Sequence, residues 1–336
     1  MANKRDSYEQ KAKRNDPSFR RVHGNYPPQK NKKGTPAVTR LSFEMTGDQI
    51  QYIDVAKALS AVNRRHYRQG LYYYVQSIEV YNNADSFVDF FTAPDTWVTK
   101  AAHRRGKAIW DEMNDRAMQN TGAIIGKYHD FKVFLDKDHR AIGSELPNLH
   151  RTAVSNVNIT VDDWEYSQMV SADDDQDGIA NADQWYLHLV GAHNGSSANW
   201  DDVGLIKSYS DTRTTVQQVN PENPPIADLL DDPLTNLFDY SSEEQMNDVL
   251  TILDTADNEQ TPYDHSSYIG EQDRHLVNTG RAATVATNNR VAMIPGFCAP
   301  CGLIKVHPAG VAPADSFRVI VNVASGNYNG VYAERI

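Results

Sequence analysis

The sequence predicts an all-β chain, an antiparallel jelly-roll sandwich of eight core strands carrying one long helix and a large loop insertion. Two observations lead there. Leu41-Ser-Phe-Glu-Met alternates with period two, Gly70 to Tyr81 is a long aromatic and β-branched run, and Phe317, Val319, Val321 and Val323 share one face of a closing strand. The strand candidates also follow one another without regular intervening helices, which argues against a parallel βαβ sheet.

The remaining candidates are Phe131 to Asp136, Trp164 to Val170, Gln184 to Val190, Gly204 to Ser208, Thr214 to Val219, Val291 to Ile294 and Gly302 to Val306. Two helices interrupt them. The first is expected from about Pro94 to Met118, with Val98, Ala101, Ala102, Ile109, Met113 and Ala117 as an apolar stripe and Lys100, His103, Arg104 and Lys107 opposite. A second begins with Ser241-Ser-Glu-Glu, a capping-box pattern, inside a polar, acidic segment over about residues 220–285 that reads as an insertion between two late strands.

Charge divides the chain. Residues 1–40 hold eleven Lys or Arg against three acids, a balance of +8, and the other 22 basic and 41 acidic residues leave −19 on residues 41–336. The first segment has almost no aliphatic residues and four prolines, so burial cannot offset its ordering entropy. A basic arm over 1–40 and a shell-like β domain over 41–336 is the expected organisation. Lys4, Arg5, Lys11, Lys13, Arg14, Arg20, Arg21, Lys30, Lys32, Lys33 and Arg40 are candidate phosphate contacts, because scattered flexible cations release counterions without reading bases. The same segment also reads as a solubilising terminus or, near Lys30 to Lys33, a nuclear import signal.

Asp173-Asp-Asp-Gln-Asp-Gly-Ile-Ala-Asn-Ala-Asp183 has the D-x-D-x-D-G spacing of a calcium loop, with Asp173, Asp175, Asp177, Asn181 and Asp183 as oxygen donors for Ca2+. Gln184 stands where a bidentate glutamate would close an EF-hand, so a solvated acidic hairpin loop is the competing reading. Cys298-Ala-Pro-Cys301 has redox and zinc spacing, but a strand follows it where a reactive thiol would need a helix start, which favours a structural turn. No phosphate loop, His-Glu-x-x-His or Gly-x-Ser-x-Gly motif occurs and the histidines are scattered, so no catalytic residue is named and an enzyme is not expected. No apolar run reaches the length of a membrane helix, and the first residues lack a secretory signal.

The basic arm, the abrupt start of strands at Leu41 and the closing Phe317-Arg-Val-Ile-Val-Asn-Val-Ala-Ser-Gly together resemble capsid proteins of small circular single-stranded DNA viruses. The resemblance is architectural. It implies a single jelly roll that self-assembles into an icosahedral shell, with copies of itself and a viral genome, single-stranded DNA, as partners. It further implies a virion protein made in the host cytoplasm, with no membrane partner. A calcium-dependent β-sandwich module for glycans or cell surfaces is the alternative, using the 173–183 loop.

Overall fold

The computed structural model of the protein describes residues 36–47, 49–121, 126, 128–143, 147–150, 164–171, 183–196, 199–213, 268–287, 290–309, 311 and 315–336. In chain order the elements are β1 (Arg40–Thr46), β2 (Gln51–Asp54), α1 (Val55–Asn63), β3 (Leu71–Tyr81), β4 (Ser86–Thr92), α2 (Trp97–Thr121), α3 (Lys137–Ile142), β5 (Asn148–His150) and β6 (Gln168–Ser171). They continue with β7 (Asp183–His188), β8 (Asn194–Ser196), β9 (Asn199–Gly204), α4 (Leu205–Arg213), β10 (Val277–Thr284), β11 (Val291–Pro300), β12 (Leu303–Ala309), β13 (Ser316–Val323), β14 (Ser325–Tyr328) and β15 (Ala333–Arg335).

The described chain is mostly β, and its two larger sheets are antiparallel throughout. One has the order β11-β3-β13-β1-β5, with β15 also beside β3, and the other runs β10-β4-β12-β2. The pairings nest: β1 pairs with β13, β2 with β12, β3 with β11 and β4 with β10. Period-two alternation decides which faces meet. Phe43, Ile78, Val80, Val319 and Val321 from one sheet share a single apolar core with Ile53, Val88, Phe90, Ile304 and Val306 from the other. The expected inward set Phe317, Val319, Val321 and Val323 is buried there.

Most described residues between β4 and β10 build a second layer around a second core. Val98, Ala102 and Trp110 of α2, Met169, Trp185 and Leu187 of a third sheet, and Leu205 and Ile206 of α4 pack together with Tyr52 and Leu303. That third sheet, β6-β7-β9-β8, contains a parallel pair, β7 with β9, so the antiparallel expectation does not extend to it. Gly106 lets α2 and α4 approach closely: a Cβ there would lie 2.6 Å from Leu205 Cδ2.

Several local expectations are corrected. Gly204 to Ser208 is not a strand: Gly204 ends β9 and Leu205 begins α4, since five residues are too few to separate a strand period from a helix period. Phe131 to Asp136 forms no strand either, although it lies extended against β7, with the Phe134 N–H donating to Leu187 O at 2.9 Å. Helix α2 starts at Trp97 instead of Pro94, because Thr96 Oγ1 accepts the Thr99 N–H at 3.2 Å and so takes the capping place. His103, expected on the polar face of that helix, is 3% exposed and lies edge-on to Phe131.

Elements β2, β4, β10 and α1 were not foreseen. Within the segment read as an insertion, Val277–Thr284 is β10. Helix α1 follows an Asp54 cap whose carboxylate accepts the Lys57 N–H at 3.0 Å, and it ends on Arg64 at φ 52°. The strand expected at Thr214 to Val219 and the helix from Ser241 lie outside the described residues. No helix among the described residues is long and apolar enough to cross a membrane.

Candidate functional site

Of the basic candidates, Lys4, Arg5, Lys11, Lys13, Arg14, Arg20, Arg21, Lys30, Lys32 and Lys33 lie outside the described residues, and Arg40 lies on β1. Its guanidinium donates to Glu79 Oε2 at 2.9 Å, and Glu79 also accepts from Tyr81 Oη at 2.8 Å and Asn322 Nδ2 at 2.8 Å. The Tyr81 hydrogen bond foremost, with Asn322 and Arg40 helping, holds the Glu79 carboxyl below its ordinary range against the opposing effect of burial. Arg40 is therefore a strand residue engaged across its own sheet.

Of the calcium candidates, Asp173, Asp175, Asp177 and Asn181 also lie outside the described residues, while Asp183 is the first residue of β7. Ser171 of β6 stands opposite it, so the segment between them joins two antiparallel strands, an arrangement that both the calcium and the hairpin readings allow. Among the described residues no three His, Cys, Asp or Glu side chains gather as metal ligands.

The cysteines sit where β11 turns into β12. Cys301 takes φ 56° and Gly302 φ 68°, and the Gly302 N–H donates to Ala299 O at 3.0 Å. A Cβ on Gly302 would come within 3.0 Å of Tyr73 Cδ2, so both backbone and space call for glycine. Burial pushes the Cys301 thiol far up, and burial followed by Asp95 pushes Cys298 up to about 12. Both free thiols are held protonated, the opposite of what thiolate chemistry needs.

Two polar joints tie the second layer together. Asp136 caps α3, accepting the His139 N–H at 2.8 Å and the Tyr52 hydroxyl at 2.7 Å on one oxygen, and the Lys305 ammonium at 2.8 Å on the other. The His139 ring stacks on Tyr52 at 4.3 Å, and its Nδ1 accepts the Leu135 N–H at 3.1 Å, so it is neutral at that nitrogen. Burial, then the nearby Lys57 and Lys305, lowers the imidazole to about 3. The other joint is His188 with Asp202, Nδ1 to Oδ1 at 2.9 Å, both enclosed. Burial pushes the Asp202 carboxyl up, but His188 and Asn194 outweigh it and hold it low. Gly204 presses on this pair: a Cβ there would meet Gly191 O at 2.1 Å and His188 Nε2 at 3.0 Å. Enclosure keeps that imidazole from any substrate.

One cleft of about 760 Å³ opens where this layer meets the sandwich core, lined by Trp110 of the one and Phe134, Trp164 and Tyr166 of the other. Its walls include Tyr128, His129, Lys132, Arg140, Trp164 and Tyr186. The Lys132 ammonium sits 5.0 Å from the centre of the Trp164 ring, and the Arg140 guanidinium 3.9 Å from the centre of Tyr186. Behind them Trp110 stacks on His129 at 4.3 Å and Phe134 on Tyr166 at 3.9 Å. Burial lowers the Lys132 ammonium, with Asp130 opposing. Sequence reading missed this cleft, since its residues come from four separate segments and no local spacing joins them.

No family model, curated protein or solved structure matches the chain. The functional reading therefore rests on the molecule's own geometry.

Proposed function

We propose that the protein is a viral coat protein built on a single jelly roll, assembling as many copies into an icosahedral shell around a single-stranded DNA genome, and that it is not an enzyme. The observation that carries this reading is the nested pairing. If β1, β2, β3, β4, β10, β11, β12 and β13 are counted as the eight core strands, the first pairs with the last, the second with the seventh, the third with the sixth and the fourth with the fifth. Successive pairs fall alternately in the two sheets. That is the pattern of one long antiparallel hairpin rolled into a sandwich, the architecture capsid domains use. Fold alone does not set function, so the +8 arm supplies the second support.

In this reading the sandwich makes lateral contacts, the basic arm that precedes β1 meets genome phosphates inside, and the acidic stretch that precedes β10 faces outward. The protein belongs to the virion after synthesis in the host cytoplasm, and the Lys30 to Lys33 region serves nuclear import. Calcium as a ligand of the 173–183 segment is tested by calorimetric titration of the full-length chain; no heat would leave the solvated-loop reading.

Electron microscopy of the purified full-length protein, with absorbance at 260 and 280 nm on the same sample, tests the whole. Closed uniform particles carrying nucleic acid are expected, and removal of residues 1–35 should empty them. Genome binding by six phosphate contacts should fall by about a thousandfold from low to physiological salt. Monomers free of nucleic acid across salt and calcium conditions would overturn the reading.

A further inference from the structure

The cleft carries a set of cations and rings that the shell reading does not use. Lys132 is 8% exposed, and among the described residues no carboxylate forms an ion pair with its ammonium. A cation so placed loses hydration and recovers only part of it from the Trp164 ring face. Arg140 repeats the arrangement on Tyr186, and its Nε is enclosed with no partner among the described residues. Asp130, on the same wall, is engaged elsewhere: it accepts the Gln69 N–H at 3.1 Å and faces His66 Nε2 at 3.7 Å. Glu165 lines the cleft too, but its side chain is exposed to water. Lys132 and the partly buried Arg140 thus face one cleft without a close ion pair among the described residues, with Asp130, Asp54 and Glu165 acting on Lys132 only from farther off.

Beside them are rings open to solvent. Tyr128 is 63% exposed, and the exposed His129 imidazole lies flat on Trp110, 15° from parallel. Sheltered cations favour an anion, since charge-assisted hydrogen bonds strengthen where water is displaced. Exposed flat rings favour a planar partner, and every nucleobase offers a π face. A carboxylate or sulfate alone would use the cations and leave the rings bare.

We infer that this cleft binds a nucleoside phosphate, the phosphate held by Lys132 and Arg140 and the base lying against Tyr128 and the His129–Trp110 stack. The same unit occurs free or within a single strand. Binding forms no covalent bond.

The test uses the full-length chain. Tryptophan fluorescence is followed during titration with deoxyadenosine monophosphate, inorganic phosphate and heparin. A bromodeoxyuridine oligonucleotide is photo-crosslinked to the same protein and the attachment points are mapped by mass spectrometry. Saturable quenching by the mononucleotide is expected, weakened roughly tenfold or more in Lys132→Met and Arg140→Gln. Tyr128→Ala should weaken it less, and its exposed position leaves folding intact. Crosslinks within 128–132 or 164–168 would assign a unit of a strand, whereas mononucleotide quenching without them would assign a free nucleotide. The proposal is overturned if the mononucleotide gives no saturable quenching, or if phosphate or heparin matches it. Unchanged affinity in both Tyr128→Ala and Arg140→Gln would overturn it too, whatever becomes of Lys132→Met. Crosslinks confined to residues 1–40 would exclude the strand and leave the mononucleotide result to decide.

Discussion

The two cores of this protein are built on different terms. Between the two large sheets one apolar cluster fills the space, and alternation along each strand is enough to put it there, although Asp54, Ser86, Asp89, Thr92 and Thr284 are also buried on these strands. The layer between β4 and β10 instead buries His103, Lys132, Asp136, His139, His188 and Asp202 among its apolar residues. At the Asp136 joint the buried polar groups are hydrogen-bonded, as buried polar groups require, and at the other joint His188 and Asp202 face each other as an ion pair at 2.9 Å. The sandwich is thus held by shape and hydrophobic burial, the second layer by matched polar contacts as well. A layer of that kind can carry a cleft with sheltered cations, which a purely apolar core could not.

The largest effect should come from emptying the sandwich. Phe90 is fully buried, and Phe90→Ala should cost about 3–5 kcal/mol, read as a lowered denaturation midpoint at unchanged slope. A loss below that of any second-layer variant would undo the contrast. Next comes Asp136→Ala, which takes the partner of the Tyr52 hydroxyl, leaves Lys305 with only the exposed Asp138 at 2.9 Å, and removes the α3 cap. About 3 kcal/mol is expected from breaking so enclosed a pair, and the double variant with Lys305→Met should recover part of it.

Acid should act on the second layer first. Burial, helped by Lys107 and Arg104, lowers His103 to about 4, and His139 is lowered to about 3. Unfolded imidazoles take up protons near pH ~6.5, where the folded ones do not. Stability is therefore full above that pH and declines as pH falls through the window toward 4, by up to ~1.4 kcal/mol per pH unit for each histidine. Asp54, raised by burial, offsets part of this at the acid end, because folding then favours its protonated form. Thermal unfolding of His103→Leu across that window should show a shallower decline, and an unchanged slope would mean His103 titrates normally. The smallest effect belongs to Arg40→Ala. Its partner lies on an exposed sheet face, and a change within about 0.5 kcal/mol is expected by calorimetry.

Legibility followed the same division. Leu41 to Met45, Gly70 to Tyr81 and Phe317 to Val323 could be read because one buried face imposes period two over many residues. Ser86 to Thr92 escaped: Phe87 and Phe91 share the outer face with Asp89, so polar residues do not mark the outward positions. Gly204 to Ser208 misled because the strand signal and the start of α4 overlap at one glycine that must sit close to His188. The cleft left no trace in sequence, since Lys132 and Trp164 meet only after Phe131 to Asp136 is laid against β7.

By itself the sequence determined the β character of the chain, its charge division and the turn at Cys301-Gly302, all of which follow from local pattern and backbone preference. The tertiary structure alone decided that Gly204 leads into a helix, that His103 is buried, and that four distant segments share one cleft. Those outcomes depend on which surfaces remain to be covered once the strands have paired, and that is a property of the folded chain as a whole.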